Sequence, residues 1–394
     1  MSEMYDVIVV GGGPGGGTAA YFLGDAGQRV LVLEKESLPR YKPCGGGISA
    51  RLLEQFPFSF ESVIESRVNA ISYALGKDTD TIRLPANTMR MVMRDGFDAY
   101  ILTHARAEVR QGVAVKNVHE KDDRVIVETG HGDRFEGRYL VAADGANSVV
   151  ARSLGLRQGK LLAAAIEVEV PVPPDIFARF AGTPLFIFGE VRLGYLWIFP
   201  KSKHLSVGIG ALHPKPGELQ ATLARVMARH GIPLEGAPYH GHPLPIYTRR
   251  EPIATRSTLL VGDAAGLVDP FSGEGIRFAV KSGRLAAETI LAGHPERYPA
   301  LIYHQIGLNH TLAAGLGLLF YHLPRLCYIL GVRNPFATYA FVDLLSDQAG
   351  YAEVFLRLFG SLPVFLLTES VAALAGLFGG RERQDRIRKA VYPA

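Results

Sequence analysis

Cysteine is nearly absent from this 394-residue chain, since Cys44 and Cys327 are its only two. This scarcity excludes a disulfide framework and any cysteine-rich zinc or iron–sulfur site, and it fits a reducing compartment. Long runs of one charge are missing as well, because the net charge of +4 arises from acids and bases that are interspersed along the chain. The sequence therefore argues against a nucleic-acid partner.

A long uninterrupted apolar run is also lacking, and we expect no N-terminal targeting segment. The first strand is expected from about residue 5, which leaves no room for a signal peptide, so we expect a cytoplasmic protein. The apolar stretch after residue 300 is broken by polar residues, and its core at Thr311–Tyr321 is too short to span a bilayer.

Histidines at metal-ligand spacing are missing too. His204, His230, His240 and His242 have no thiol or acidic partners at suitable intervals. We expect them to be surface residues, and we expect no metal site.

The first 35 residues carry the pattern of a nucleotide-binding βαβ unit. Apolar runs predict strands at Tyr5–Val10 and Arg29–Glu34, with a helix at Pro14–Ala26 between them. The intervening turn, GGGPGG, has GxGxxG spacing, which lets a diphosphate approach bare backbone at a helix N-terminus. An acidic residue at the end of the second strand can accept hydrogen bonds from a ribose. The predicted nucleotide contacts here are Gly11, Gly13, Pro14, Gly15, Gly16, Glu34 and Lys35.

Patterning along the rest of the chain predicts alternating sheet and helix. Alternation across Ala163–Ala211 predicts a second, antiparallel sheet, and the residues after 300 read as apolar helices. The other predicted elements are β-rich pieces at Val68–Val92, a helix at Asp95–Glu108, strands at Val113–Val127, Tyr139–Ala142 and Thr258–Val261, and a helix at Gly275–Leu291.

Two later segments distinguish FAD from NAD. In residues 259–276 a buried strand leads into Asp263, whose carboxylate can hold flavin ribityl hydroxyls, and then into Gly273, Gly275 and Ile276, whose N–H groups can face the isoalloxazine. In residues 139–156, Asp144 and Gly145 follow another strand. Either segment alone could be a capped turn, but their order along the chain favours a flavin site.

These motifs, in this order, resemble the large FAD-dependent family of aromatic hydroxylases, halogenases and geranylgeranyl reductases. The resemblance implies that Glu34 binds the adenosine ribose, Arg94 contacts the cofactor's linker and Asp263 binds the ribityl chain. It also implies an α/β fold with a Rossmann-like, para-hydroxybenzoate hydroxylase-like FAD-binding domain, an antiparallel substrate sheet and a helical C-terminal region. We expect an FAD-binding domain at 1–66, 94–160 and 250–300, a substrate domain at 67–93 and 161–249, and a helical domain at 301–394.

Two segments resemble geranylgeranyl reductases in particular: YKPCGGGIS at residues 41–49 and GYLWIFPKSKHLSVGIG at 194–210. In the second, Tyr195, Trp197 and Phe199 alternate and form one aromatic face of a strand, which suits a polyprenyl substrate. The same stripe could instead be ordinary sheet core. We assign Cys44, Tyr195 and Trp197 to catalysis, and Cys44 and Gly45 also to the cofactor, although Cys44 could be a small buried hydrophobe.

The apolar C-terminal third allows two interpretations. Its short runs, at Leu358–Thr368 and Ser370–Gly380, could be core helices or helices that dip into a membrane. Residues 380–389 then add five basic and two acidic side chains, which favours anionic headgroups and peripheral membrane association.

The resemblance implies a flavin-dependent reductase that saturates C=C bonds of a polyprenyl group on a diphosphate, a chlorophyll-type ester, a quinone or an ether lipid. Only one GxGxxG is present, so the reductant, NADPH or a reduced ferredoxin-type protein, must dock transiently. An FAD monooxygenase or halogenase acting on an apolar aromatic substrate is the alternative, and a non-catalytic lipid-binding or redox-sensing flavoprotein is a third hypothesis.

Overall fold

A computed structural model describes residues 4–159, 161–335 and 337–374. The predicted strands and helices are largely present, with bounds that differ by a few residues. The strands are β1 Tyr5–Val10, β2 Val30–Glu34, β3 Gly47–Ser49, β4 Ile64–Val68, β5 Ala70–Leu75, β6 Asp78–Arg83, β7 Met89–Val92, β8 Glu108–Gln111, β9 Val115–Lys121, β10 Arg124–Thr129, β11 Arg134–Ala142, β12 Leu161–Val170, β13 Leu185–Phe188, β14 Gly194–Pro200, β15 Leu205–Leu212, β16 His240–Ile246 and β17 Thr258–Leu260.

Helices fall between these strands and dominate the C-terminal part. The α-helices are α1 Pro14–Asp25, α2 Ala50–Leu53, α3 Arg94–Thr103, α4 Val149–Ser153, α5 Pro174–Ala178, α6 Glu218–Arg229, α7 Ile276–Leu291, α8 Tyr298–Ile302, α9 Leu308–His322, α10 Pro324–Cys327, α11 Thr338–Leu345 and α12 Tyr351–Leu374.

The chain divides into two compact units, each assembled from three separate segments. The first unit comprises residues 1–44, 93–163 and 242–314. The second comprises residues 45–92, 164–241 and 315–394.

The first unit contains a sheet of order β8-β2-β1-β11-β10-β9, with β17 also paired to β11. Strands β8, β2, β1, β11 and β17 run parallel, whereas β9 and β10 are antiparallel additions. Parallel strands that are buried on both faces are expected to be continuously apolar, as in β1 and β2. This arrangement confirms the predicted Rossmann-like fold and brings the carboxyl ends of β1, β2, β11 and β17 to one edge.

The second unit contains a sheet of order β16-β12-β15-β14-β13-β5-β6. Its two faces differ, because successive side chains of a strand point in opposite directions. One face supplies an aliphatic core that includes Leu196, Ile198, Val207 and Ile209 and that also takes in residues of α6 such as Leu223. A smaller sheet of order β3-β7-β4 lies in the same unit.

Two details of the predicted secondary structure are wrong. The helix expected at Asp95–Glu108 ends at Thr103, because Glu108 begins a strand that pairs with Leu31 of β2. The second sheet is not wholly antiparallel, since β13 pairs with β5 in parallel register. Both differences depend on pairing between distant segments, which local patterning does not reveal.

The C-terminal apolar runs also differ from expectation. The run at Leu358–Thr368 belongs to one continuous helix, α12, with Pro363 inside it. Within the described part of the chain, its stretch Tyr351–Ser370 has the length and mean hydropathy, 1.4, needed to cross a membrane, and 17% of the apolar window is buried. Helices Pro295–His322 and Pro324–Arg333 meet such a test only as a pair, bent by 114°.

Candidate functional site

The candidate nucleotide site lies where the parallel strands of the first unit end. The glycine turn follows β1, Glu34 is the last residue of β2, and Asp144 and Asp263 follow β11 and β17. Ligands of open α/β sheets bind at this edge of the sheet. The fold therefore brings together four motifs that lie up to 250 residues apart in sequence.

The glycines after β1 are required by close approach of the backbone. Gly11 has φ +101°, and a side chain at Gly16 would overlap the carbonyl of Gly11. Gly13 caps α1 without any side-chain hydrogen bond, and Pro14 occupies its first turn. The first N–H groups of this twelve-residue helix lack intrahelical partners and can face an anion.

The start of α1 packs closely on a second helix, α7. A Cβ at Gly15 would lie 3.1 Å from the Ala279 carbonyl, and one at Gly283 would overlap the backbone of Gly15. Glycines on both helices thus allow α1 and α7 to pack closely. Because helix N-termini carry partial positive charge, the starts of both helices favour a bound anion.

Glu34 is buried and already orders the turn. Its Oε2 accepts a hydrogen bond from the Gly12 N–H at 2.6 Å, and its Oε1 accepts one from the Glu36 N–H at 3.0 Å. A carboxylate has about four lone-pair sites, so each oxygen can still accept from a ribose hydroxyl. Lys35, predicted as a cofactor contact, is exposed and lies 3.9 Å from Glu36.

Two arginines beside the glycine turn form a buried cationic cluster. Arg94 donates two hydrogen bonds to Asp98, at 2.8 and 2.7 Å, and Arg40 donates one to the same carboxylate at 3.0 Å. Both guanidinium groups lie within 4 Å of the position that a Cβ would occupy at Gly13. The buried Nη1 of Arg40 has no hydrogen-bond partner among the described residues. Arg40 and Asp98 were not predicted from the sequence.

Asp263 lies in a basic environment. Its Oδ2 is 3.9 Å from Lys42 Nζ and 3.6 Å from His242 Nε2. Burial by itself would raise the pKa of Asp263, but His242, Lys42 and Arg94 outweigh burial and lower its pKa to about 2. Its Oδ1 lies 3.4 Å from where a Cβ would stand at Gly275, the residue that caps α7. The carboxylate is thus held ionised beside a helix N-terminus.

The Asp144 segment includes a helix cap. Asp144 Oδ2 accepts hydrogen bonds from the N–H groups of Val149 and Val150, at 2.7 and 3.1 Å, at the start of α4. Its buried Oδ1 has no hydrogen-bond partner within the described ranges. Burial raises the pKa of this carboxyl group above its ordinary value. Gly145 follows with φ +79°, a conformation that favours glycine.

The loop before α7 is ordered by its own hydrogen bonds. Asp269 accepts from the Phe271 and Ser272 N–H groups, both at 2.8 Å, and its carbonyl accepts from the Gly273 N–H at 3.0 Å. The Gly273 N–H, predicted to face the flavin, thus also serves to order the loop. The N–H of Ile276, at the first position of α7, remains suited to that role.

The residues at this edge fit FAD. Three cations, Arg40, Lys42 and Arg94, lie together with the carboxylates of Asp98 and Asp263 near the starts of two helices. The open donor of Arg40 and the bare glycine backbone suit a diphosphate. Glu34 and Asp263 suit the two sugar-like parts of the cofactor.

A separate aromatic face lies on the second unit's sheet. Tyr195, Trp197 and Phe199 point away from the aliphatic core, which uses the alternate residues of β14. Phe186 of β13 extends this face, with ring centroids 5.8 Å from Tyr195 and 5.1 Å from Phe199. The stripe is therefore separate from that aliphatic core, and Trp197 and Phe199 are themselves buried. The buried indole N–H of Trp197 has no hydrogen-bond partner in the described part of the chain.

Gly45, in the KPCGGG loop, contacts residues at the end of strand β14. A Cβ at Gly45 would lie 2.8 Å from Phe199 and 3.2 Å from the Trp197 indole nitrogen. Lys201, which is 1% exposed, donates hydrogen bonds to the carbonyls of Gly45, at 2.7 Å, and Val92, at 2.9 Å. This contact explains why a lysine follows the YxWxFP motif. Gly45 thus lies against the aromatic face, within the second unit.

Cys44 is the last residue of the first unit and is partly buried. Burial opposes the charge of Arg94, but Asp98, Cys44 and Asp263 together raise the pKa of this guanidinium above its ordinary value. Cys44 therefore lies within electrostatic range of the candidate cofactor site.

The histidines expected at the surface are all partly exposed. His242 lies beside Asp263, as described above, and His204 Nε2 lies 2.7 Å from Glu169 Oε2. Sequence spacing gave no signal for either contact. Lys42, by contrast, stands within the KPCGG segment and could have been singled out as a cation flanking a predicted cofactor loop.

Comparison with known proteins connects this geometry to a family. A family model described as an FAD binding domain matches residues 4–181. A geranylgeranyl diphosphate reductase of Rhodobacter capsulatus is 32% identical over 73% of this chain and 75% of its own length. A menaquinone reductase of Mycolicibacterium smegmatis is 29% identical over 84% of this chain and 88% of its own length.

Solved structures share the fold at low sequence identity. A geranylgeranyl bacteriochlorophyll reductase-like protein of Thermoplasma acidophilum is 24% identical with a TM-score of 0.76, covering 93% of this chain and 98% of that protein. The halogenase PltM, in complex with FAD, is 18% identical with a TM-score of 0.66, covering 88% of this chain and 83% of that protein. These two likenesses concern the fold alone.

Proposed function

Because the chain belongs to the geranylgeranyl reductase family of FAD-dependent oxidoreductases, we propose that it saturates C=C bonds in a polyprenyl group. The group is carried by a diphosphate, a chlorophyll-type ester, a quinone or an ether lipid. The relatives named for reduction of geranylgeranyl diphosphate and menaquinone support this substrate class. Halogenases resemble the chain in fold, which leaves halogenation or monooxygenation as the alternative to be tested.

The observation that carries the proposal is the aromatic face of β13 and β14. Its rings are directed away from the sheet's aliphatic core, and the loop glycine Gly45 adds no side chain there. A polyprenyl chain offers no hydrogen-bonding groups along its length, so a site for it gains affinity by burying hydrocarbon against apolar or aromatic surface. Tyr195, Trp197 and Phe199 provide such a surface.

Bound FAD supplies a hydride from N5, and the second hydrogen arrives as a proton. Residues of this chain bind and orient the reactants. Glu34, Arg40 and Arg94 hold the nucleotide part, and Asp263 holds the ribityl hydroxyls with its carboxylate kept ionised by His242 and Lys42. The face of Trp197 eases positive charge that develops at a trisubstituted carbon.

Cys44 is proposed to act beside the reacting face. It directly precedes Gly45, which packs on Trp197 and Phe199, and it lies in electrostatic range of Arg94. The external reductant, NADPH or a reduced ferredoxin-type protein, docks transiently in this proposal.

Helix α12 is proposed to contact a lipid bilayer and thereby to give access to the lipid substrate. Leu356, Phe359 and Leu367 are 73%, 59% and 66% exposed, and no charged residue lies between Leu358 and Thr368. Exposed apolar surface on such a helix favours burial in the acyl boundary. The basic segment 380–389, which lies outside the described residues, adds attraction to anionic headgroups.

The test of the proposed function is mass spectrometry of lipid products after incubation with a reductant and a geranylgeranyl substrate. Saturation adds two hydrogens, about 2 Da, for each double bond reduced. In deuterated water with unlabelled reductant, one hydrogen of each added pair should be deuterium. Trp197→Ala should slow product formation far more than it lowers FAD content. A product that gains oxygen or halogen without saturation would decide for the alternative.

A further inference from the structure

Two acidic residues lie on the aromatic face of the second unit's sheet. Antiparallel register places Ser206 of β15 opposite Phe199, so both side chains point to the same face. Ser206 Oγ donates a hydrogen bond of 2.7 Å to Glu167 Oε1 of β12. Glu169, two residues further along β12, therefore shares that face. Both residues belong to the second unit, whereas the candidate cofactor site lies in the first.

The pair is surrounded by few charges. Glu167 is 2% exposed, and the charged or polar groups facing the pair are Lys201, His204 and Ser206. Burial and the neighbouring Glu169 raise the pKa of Glu167 to about 8. Burial would raise the pKa of Glu169 too, but His204, Glu167 and Lys201 lower it. Two carboxyl groups at such close range do not both ionise, so the pair holds one proton at neutral pH.

Glycines of β15 lie opposite the aromatic rings of β14. Gly208 and Gly210 lie opposite Trp197 and Tyr195 in the register of β14 and β15, so no side chain intervenes there. The Trp197 ring covers Gly208, and a Cβ at Gly208 would also lie 2.6 Å from the carbonyl of Ile166 on β12. Trp197 therefore leans toward the strand that carries Glu167.

We propose that Glu167 and Glu169 form a carboxyl pair with one shared proton, and that this proton is delivered through Ser206 to the substrate carbon on the aromatic face. This inference rests on the proposed function. One alkene carbon accepts the hydride and its electron pair. The π electrons of the C=C bond form the second C–H bond with the proton, and the carboxyl pair is left with one additional negative charge.

The pair regains its proton from solvent through His204. The imidazole Nε2 lies 2.7 Å from Glu169 Oε2, and the His204 side chain is 22% exposed. An imidazole in contact with both water and a buried carboxylate can pass protons between them. The chain from solvent to substrate thus runs from His204 through Glu169 and Glu167 to Ser206.

The experiment uses the FAD-loaded enzyme with Glu167→Gln, Glu169→Gln and, as a matched control, Glu190→Gln. Glu190 is an acid of the same unit that is paired with Arg225 and Arg229. In Glu167→Gln, product formation per flavin should fall about 10²- to 10⁴-fold, the usual contribution of a positioned acid. FAD content and the rate of flavin reduction by dithionite should not change.

The variant Glu169→Gln tests the interaction between the two carboxyl groups and keeps Glu167, the proposed proton donor. Wild-type product formation should decline as pH rises past about 8, the pKa to which Glu167 is raised. Removing the neighbouring like charge lowers the pKa of Glu167, so the decline should begin at a lower pH. This variant keeps the proposal testable if Glu167→Gln folds poorly. An unshifted pH profile overturns the pairing.

Infrared spectroscopy detects the proton directly. The wild type minus Glu167→Gln difference spectrum should contain a protonated-carboxyl band at neutral pH that shifts in deuterated water and is lost near pH 8. The subtraction is needed because any other protonated carboxyl group absorbs in the same region. A difference spectrum without the band, or unchanged turnover of Glu167→Gln in an otherwise active enzyme, overturns the inference alone. A wild type that saturates no polyprenyl substrate overturns the delivery step together with the proposed function.

Discussion

At the scale of single residues, the charged groups around Asp263 allow a direct test of its role in cofactor binding. We expect Asp263→Asn to lower FAD content sharply, because the neutral amide loses the charge that His242, Lys42 and Arg94 stabilise. The measurement is flavin absorbance per mole of purified protein. Asp175→Asn, at an exposed position of α5, is the control and should keep its flavin. Full occupancy in Asp263→Asn would remove Asp263 from the cofactor site.

The same carboxylate predicts a pH dependence. Its folded-state pKa of about 2 lies below the ordinary 3.8, so its stabilising contribution is present above pH 3.8 and is lost as the pH falls through 2. Replacing His242 by Gln removes one of the groups that lower this pKa. FAD release during acid titration, followed by flavin fluorescence, should therefore begin at a higher pH in His242→Gln than in the wild type.

Cys44 allows a second test at this scale. We expect Cys44→Ala to keep most of its FAD but to change product formation per flavin, because the residue directly precedes Gly45, which packs on the aromatic rings, and is outside the glycine turn. Cys327→Ala is the matched control, since Cys327 belongs to α10, away from every motif. Equal turnover in Cys44→Ala and the wild type would return Cys44 to a packing role.

At the scale of secondary-structure elements, α12 predicts membrane behaviour. Changing Leu356, Phe359 and Leu367 to Gln should reduce co-sedimentation with neutral and anionic vesicles alike, because each fully buried leucine or phenylalanine contributes about 1.5–3 kcal/mol. Deleting the chain from Arg381 should reduce binding to anionic vesicles only, by about 1 kcal/mol per basic residue.

Two comparisons decide the role of α12. Tyr239→Gln changes an exposed aromatic side chain of a loop and serves as the control. High salt should weaken the protein's preference for anionic vesicles and leave the contribution of the apolar side chains to vesicle binding in place. If the triple variant binds neutral vesicles as well as the wild type does, then α12 is not a membrane-contacting element.

Local sequence pattern was sufficient to predict some secondary-structure elements and insufficient to predict others. Strand β1, helix α1 and strand β2 could be predicted within about a residue at each end, because apolar runs and a glycine turn determine them locally. The end of α3 and the parallel pairing of β13 with β5 could not, because each depends on a strand distant in sequence. Continuity of α12 through Pro363 was hidden for a related reason, since proline ordinarily predicts a break.

At the scale of the whole molecule, each compact unit consists of three interleaved segments. Motifs that follow parallel strands could be placed at one edge from sequence alone, because strand direction fixes where they meet. The residues that surround those motifs could not be placed from sequence alone. Arg40, Asp98 and His242 carry no spacing signature, and only the folded chain reveals that they surround Gly13 and Asp263. The Glu167–Glu169 pair was missed similarly, since alternating acids on a strand usually indicate a solvated face.

The contact between Trp197 and Gly208 restricts the order in which this sheet can change during evolution. A Cβ at Gly208 would overlap the indole ring and would also lie 2.6 Å from the backbone carbonyl of Ile166. Alanine at this position therefore requires both a smaller side chain at position 197 and a shift of β12. The two positions should show epistasis, with Gly208→Ala more harmful beside tryptophan than beside leucine. Once a descendant of this sequence has lost the glycine, a return to tryptophan at position 197 meets a steric clash.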